Sequence, residues 1–188
     1  GKKVFYLFGQ GGVGKTAFIS KFILDKTSSL PHKYYKINTN DTLLSLLNGV
    51  FKKEEQELFD LYKFMNESLT NEGFLLLDDL HLIEPHEFTD FLIFLNSYYS
   101  GKSRIVILSR ESFDQAILGL DKNIAILEIK PLNEKFSKQL LKNLLKNKKN
   151  VDSIDEIINL SGGNPLFLKL LGEHYSSGTG KMPIQEVF

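Results

Sequence analysis

Gly9-Gln10-Gly11-Gly12-Val13-Gly14-Lys15-Thr16 reads G-x-x-x-x-G-K-T, an order of residue types that builds a cradle for a chain of phosphates. Glycines let successive backbone N–H groups turn inward around phosphate oxygens. The lysine can reach the β- and γ-phosphates, and the hydroxyl beside it can ligate Mg²⁺. Lys15 and Thr16 are therefore expected to meet phosphate and metal. Gly9, Gln10, Gly11, Gly12, Val13, Gly14 and Ala17 would complete the nucleotide contact. An accidental match in a chain of this length is at most on the order of one in a hundred.

Other residues carry matching chemistry. Asp78-Asp79 directly follow the apolar run Phe74-Leu75-Leu76-Leu77. Ligands of open parallel sheets bind beyond the carboxyl ends of the strands, so Asp78 is expected to associate with Mg²⁺ and Asp79 to polarise an attacking water. His81, two residues on, can orient an acid or meet the γ-phosphate. The chain has 23 cationic residues, yet only Arg104 and Arg110 are arginine. Arg110 ends the strand-like run Ile105–Leu108 at its carboxyl side, where a planar guanidinium suits a γ-phosphate. Arg104, at the other end, reads as a surface residue. The guanine-selecting Asn-Lys-x-Asp is absent from its expected place after a late strand, which favours adenine.

These residues need a scaffold. Val4–Phe8 reads as a buried strand before the glycine loop. Ala17, Phe18, Phe22 and Ile23 follow at helical spacing, so a helix dipole adds to the anion site. Further strands are expected at Tyr34–Asn38, Phe74–Leu77, Ile105–Leu108 and Ile124–Ile129. Helices are expected after a cap at Asp41 or Thr42, over Lys53–Leu69, and over Phe88–Tyr99. The alternation implies an α/β fold: a three-layer sandwich around a parallel five-stranded sheet. After Pro131 only helical patterns remain: Glu134–Lys146, Val151–Leu160 and Pro165–Tyr175. The expected organisation is a nucleotide-binding core over 1–130, a small helical subdomain over 131–175, and a flexible tail or the start of another domain over 176–188. Both ends are expected to belong to something longer.

Composition narrows the classes. The chain has 188 residues, zero formal net charge and no cysteine. It can bury a substantial core. It has no disulfide framework and no thiolate metal site, which fits a cytoplasmic setting. No apolar run approaches a membrane span. The balanced charge weighs against nucleic acid as partner. The lysine-rich run 142–149 reads as a solvated helix end.

Four blocks stand in order: GQGGVGKT, FLLLDDLH, RIVILSR and SGGNPLFLKLLG. Together they resemble the STAND class of P-loop NTPases, which includes the NB-ARC domains of plant disease-resistance proteins and many bacterial regulators and antiphage sensors. Asp-Asp-x-His at Asp78, Asp79 and His81 looks like the bacterial branch, as does Gly-Gly-Asn-Pro-Leu at Gly162–Leu166. The resemblance covers Lys3 to about Leu171. It implies that Lys15 and Thr16 bind phosphate and Mg²⁺, that Asp78 is the metal-associated acid and Asp79 the base, and that Arg110 reads the γ-phosphate. It also implies that Pro165 packs on adenine. The arginine-bearing strand should lie between the strand before the glycine loop and the strand before Asp78. The activity implied is slow ATP hydrolysis or ADP/ATP exchange acting as a switch on self-association, in a signalling or innate-immunity protein whose effector and sensor domains lie outside this chain. A non-hydrolysing nucleotide-binding scaffold and an AAA+ ATPase acting on nucleic acid are the alternatives.

Overall fold

The computed structural model describes residues 1–26, 30–53, 57–112, 123–145 and 154–176. Strands and helices alternate through β1 (Val4–Phe8), α1 (Lys15–Lys26), β2 (His32–Lys36), α2 (Leu43–Phe51), α3 (Leu58–Ser68), β3 (Phe74–Asp78), α4 (Pro85–Ser97), β4 (Arg104–Ser109) and β5 (Ile124–Glu128). Three helices follow: α5 (Glu134–Leu144), α6 (Ile154–Ser161) and α7 (Pro165–Ser176). The contacts divide the chain into two units. One comprises Gly1–Gly9 with Lys15–Glu128; the other joins Gln10–Gly14 to the chain from Ile129 onward.

In the first unit the five strands are parallel, in the order β2-β3-β4-β1-β5. The arginine-bearing strand β4 therefore lies between β1 and β3, as expected. Side chains alternate across each strand. Val4, Tyr6, Leu75, Leu77, Ile105, Ile107 and Ile124 face one way, into a core closed by Leu43, Leu46, Leu61, Met65, Phe91 and Leu95 of α2, α3 and α4. Phe5, Leu7, Phe74 and Val106 face the other way, towards Phe18, Ile19 and Phe22 of α1. Helices thus lie on both faces of the sheet, α2, α3 and α4 on one and α1 on the other, the expected three-layer α/β arrangement.

Several element ends differ from the sequence reading. The second strand occupies His32–Lys36 instead of Tyr34–Asn38, because its pairing is set by β3, with His32 opposite Phe74 and Lys36 opposite Asp78. Polar residues suit that edge position. Thr42, not Asp41, caps α2: its hydroxyl accepts from Ser45 N–H, and Ser45 Oγ accepts from Thr42 N–H. Asp41 instead accepts from Asn38 N–H. Lys52 closes α2 in the left-handed conformation (φ 54°), so Lys53 does not continue a helix, and α3 starts at Leu58. Proline at the first position starts α4 at Pro85. Residues 54–56, 146–153 and 177–188 lie outside the described residues, with the parts of the third helix, the lysine run, the Val151 helix and the tail that fall there.

In the second unit Leu141, Leu145, Ile157, Ile158 and Leu168 form a small core. Asn133 caps α5 by accepting from Phe136 N–H. Leu132 N–H donates to Gly163 O (2.9 Å). Gly163 has φ 77°, and a Cβ there would run into the Leu132 carbonyl, so only glycine fits.

Candidate functional site

The order β3-β4-β1 brings three strand ends together. At these carboxyl ends Asp78 closes β3 and Asp79 follows it, Ser109 closes β4 and Arg110 follows it, and Gly9 follows β1. Asp78 shares the strand face of Phe74, which is the α1 side of the sheet. There its Oδ2 accepts from Thr16 Oγ1 at 2.7 Å, at the first turn of α1. The same oxygen accepts from the Tyr34 hydroxyl at 2.9 Å. Asp78 Oδ1 accepts from Asp79 N–H at 3.0 Å. The carboxylate is 5 % exposed and held at both oxygens.

This donor set can be tested against Mg²⁺. The ion prefers oxygen, takes one or two protein ligands and keeps waters and substrate phosphates for the rest. A hydroxyl and a carboxylate within hydrogen-bond distance meet that demand. Among the described residues no group of three or more His, Asp or Glu side chains could hold a metal unaided. The residues fit an ion that arrives with a nucleotide.

Lys15 is 8 % exposed, and its Nζ donates to Gly9 O at 2.7 Å. Burial lowers its pKa, and Arg110 lowers it further, while Asp78 and Asp79 oppose the shift. Two cations, Lys15 and Arg110, and two anions, Asp78 and Asp79, thus act on one another here. In the loop itself Gly12 (φ 75°) and Gly14 (φ 98°) adopt left-handed conformations that glycine accepts without strain. Gln10 O accepts from Val13 N–H. Thr16 and Ala17 are exposed at the start of α1.

Asp79 also sits in the left-handed region (φ 62°, ψ 34°), leading into the short 3-10 turn Leu80–Leu82. Asp is among the few side chains that tolerate this. Its Oδ2 lies 4.0 Å from Lys36 Nζ. His81 is half-buried, and its Nδ1 finds no hydrogen-bond partner among the described residues. Burial depresses the His81 pKa; Arg110 and Lys15 push the same way, and Asp79 and Glu111 push back. The fold therefore prefers neutral His81. A folded pKa below the unfolded value of 6.5 contributes stability that is complete above about pH 6.5 and lost as pH falls towards the folded pKa. His81→Gln is expected to flatten that part of the stability profile between pH 5 and 7, compared with the unchanged chain by urea denaturation.

Arg110 is exposed, but its backbone is anchored. The Tyr6 hydroxyl donates to Glu111 O at 2.7 Å, and Ser109 Oγ accepts from Glu111 N–H at 3.1 Å. Burial raises the Tyr6 pKa to about 12, so the phenol stays a donor. Pro165 opens α7 in the second unit. Gly11 and Gly12 of the loop belong to that unit, and Asn164 Nδ2 donates to Gly11 O at 2.8 Å.

Two polar residues at these sites escaped the sequence reading, Tyr34 and Asn164. Tyr34 is 50 % exposed. Burial of its ring atoms, then its bond to Asp78, raises its pKa to about 12. Tyr34→Phe removes one of two hydrogen bonds on Asp78 Oδ2. The Mg²⁺ concentration needed for tight nucleotide binding is expected to rise about three- to ten-fold, with Mg²⁺-free affinity unchanged, in calorimetric titrations.

No family model matches this chain, and no curated protein does. Similar folds exist among solved structures. The Signal Transduction ATPase with Numerous Domains protein with a tetratricopeptide repeat sensor, from Pyrococcus horikoshii, superposes with TM-score 0.65 at 18% identity, covering 97% of this chain and 28% of that one. Cdc6p from Pyrobaculum aerophilum gives TM-score 0.64 at 15% identity, over 93% of this chain and 55% of that one. The Walker-type ATPase of Pyrococcus abyssi gives 0.64 at 14% identity, over 95% and 64%. The chain spans between about a quarter and two thirds of these proteins. Its fold is that of the P-loop ATPases.

Proposed function

We propose that this chain is the nucleotide-binding module of a signalling ATPase of the STAND type, which takes ATP or ADP with Mg²⁺ and changes state through slow hydrolysis or exchange. The observation that carries the reading is the Thr16–Asp78 hydrogen bond of 2.7 Å, made by the residue that follows Lys15 in the sequence G-x-x-x-x-G-K-T. That pairing supports the reading because it joins two oxygen donors next to Lys15 in sequence. Lys15 would hold the β- and γ-phosphates, and Arg110 the γ-phosphate. Asp79 would accept a proton from water, with His81 beside it, and Pro165 would pack on adenine. Mg²⁺ bound with the nucleotide would neutralise charge between the β- and γ-phosphates.

The four ordered sequence blocks and the similarity in fold to a STAND protein support the regulatory setting. In that setting the module belongs to a longer cytoplasmic protein, self-associates through its nucleotide-binding region, and serves defence or other signalling through effector and sensor domains beyond this chain. Among the described residues no helix is long and apolar enough to cross a membrane.

The test is to denature the purified chain, identify any released nucleotide by chromatography and mass, and then follow phosphate release in a single turnover. Bound ADP with slow release supports the switch. A chain that holds no nucleotide and gains no thermal stability from MgADP or MgATP sinks it. Nucleotide binding with no phosphate release would instead favour a non-hydrolysing scaffold. A second reading is an AAA+ ATPase acting on nucleic acid, whose nucleotide-binding core would look alike. DNA affinity falling steeply with salt would support that one, although zero net charge weighs against it.

A further inference from the structure

Asn164 is 2 % exposed, and its amide is used at both ends. Oδ1 accepts from Leu166 N–H at 3.0 Å, which caps the first turn of α7. Nδ2 donates to Gly11 O at 2.8 Å, across 153 residues of sequence. A second link runs alongside: Leu166 N–H also approaches Gly12 O at 3.3 Å. The approach is close enough that a Cβ on Gly12 would stand 2.7 Å from Leu166 Cβ and 2.9 Å from Asn164 Oδ1. The backbone of the glycine loop is thus bonded to the start of α7 at two successive carbonyls. With the Gly11 carbonyl drawn towards α7, the other side of that peptide, where the Gly12 N–H lies, is left for an anion, while the Val13 N–H of the next peptide is held by Gln10 O.

We propose that Asn164 is a positioning residue for the phosphate loop, fixing the peptides at Gly11 and Gly12 so that nucleotide occupancy is transmitted to α7. The proposal rests on the nucleotide-binding reading above and deepens it. The coupling is reciprocal: whatever orders the loop also secures the first turn of α7, and loosening α7 weakens phosphate binding by the same factor. A residue that only capped the helix would have no such second effect.

The experiment separates the two ends of the amide in the 188-residue chain. Asn164→Ser and Asn164→Asp each keep an oxygen that can cap α7, and both lose the Nδ2 donor to Gly11 O, because Asp has no donor and the Ser hydroxyl is one atom shorter than the amide nitrogen. Both are expected to weaken MgADP binding about ten-fold, while the unfolding midpoint of the nucleotide-free protein and its helical circular dichroism stay close to those of the unchanged chain. In the unchanged chain MgADP should slow hydrogen exchange at the Phe167 and Leu168 amides, and in both variants that protection should disappear. Unaltered affinity in Asn164→Ser overturns the proposal. So does a loss confined to Asn164→Asp, which would be charge repulsion alone, or a loss accompanied by melting of α7. If the unchanged chain binds no nucleotide, the functional reading fails by itself. Exchange at Gly11–Gly14 without nucleotide then decides the positioning role: faster exchange in Asn164→Ser upholds it, and equal exchange overturns it.

Discussion

Asp79→Asn should stop turnover while leaving nucleotide bound. Asparagine suits this position better than alanine as a probe, because Asp79 holds φ 62° and ψ 34°. Asn enters the left-handed region at least as readily as Asp, whereas alanine adds about 1–2 kcal/mol of backbone strain. The substitution therefore removes the carboxylate charge and little else. Its ion pair with Lys36 is long, at 4.0 Å, and the lysine is mostly exposed, so its loss should hardly affect stability. A general base accelerates proton transfer by roughly 10²–10⁴-fold, and single-turnover phosphate release is expected to fall by that order. Binding, which the proposed reading assigns to the glycine loop, Lys15 and the Thr16–Asp78 pair, should change by less than about three-fold. Release that survives the substitution would remove Asp79 from the role of base and leave its strained backbone without a chemical reason.

How much of this site could be read from the sequence depends on the distance over which each residue acts. The glycine loop is local: its spacing, the strand before it and the helix after it lie within some 25 residues. Asp78 follows from the apolar run before it, since that run marks a buried strand and the acid stands at its carboxyl end, as the last residue of β3. The place of β4 between β1 and β3 came with the family resemblance, not from the run of residues itself. Tyr34 was hidden for a different reason. His32-Lys33-Tyr34-Tyr35-Lys36 has the polar look of an edge strand, and the meeting of Tyr34 with Asp78 depends on the β2–β3 register, in which Tyr34 stands opposite Leu76. A ring two residues short of the carboxylate then reaches forward to it. Asn164 was hidden by its own ordinary half. As a helix cap before Pro165 it needs no further explanation, and nothing nearby in sequence points to Gly11.

Lys15→Met should separate stability from function most sharply. The buried ammonium has a lowered pKa, caused first by desolvation. A lysine whose pKa falls on folding costs stability at every pH below its unfolded value of about 10.4, because the unfolded chain holds the proton more firmly. Methionine has nearly the same length and no charge, so it removes that cost. It also gives up the hydrogen bond to Gly9 O, about 1 kcal/mol in the other direction. The nucleotide-free protein should accordingly unfold at close to its original midpoint, or slightly above it. Binding should behave in the opposite way. The ammonium is the charged side chain of the loop, and losing it should weaken affinity for MgATP and MgADP at least about a hundred-fold. That loss would abolish the stabilisation expected of nucleotide in the unchanged chain, which at a hundred times Kd amounts to about 2.7 kcal/mol. Thermal unfolding with and without MgADP reads both effects in one experiment. A variant that unfolds early without nucleotide would make Lys15 a structural residue of the loop. One that keeps its nucleotide shift would move the phosphate site away from Gly9–Thr16.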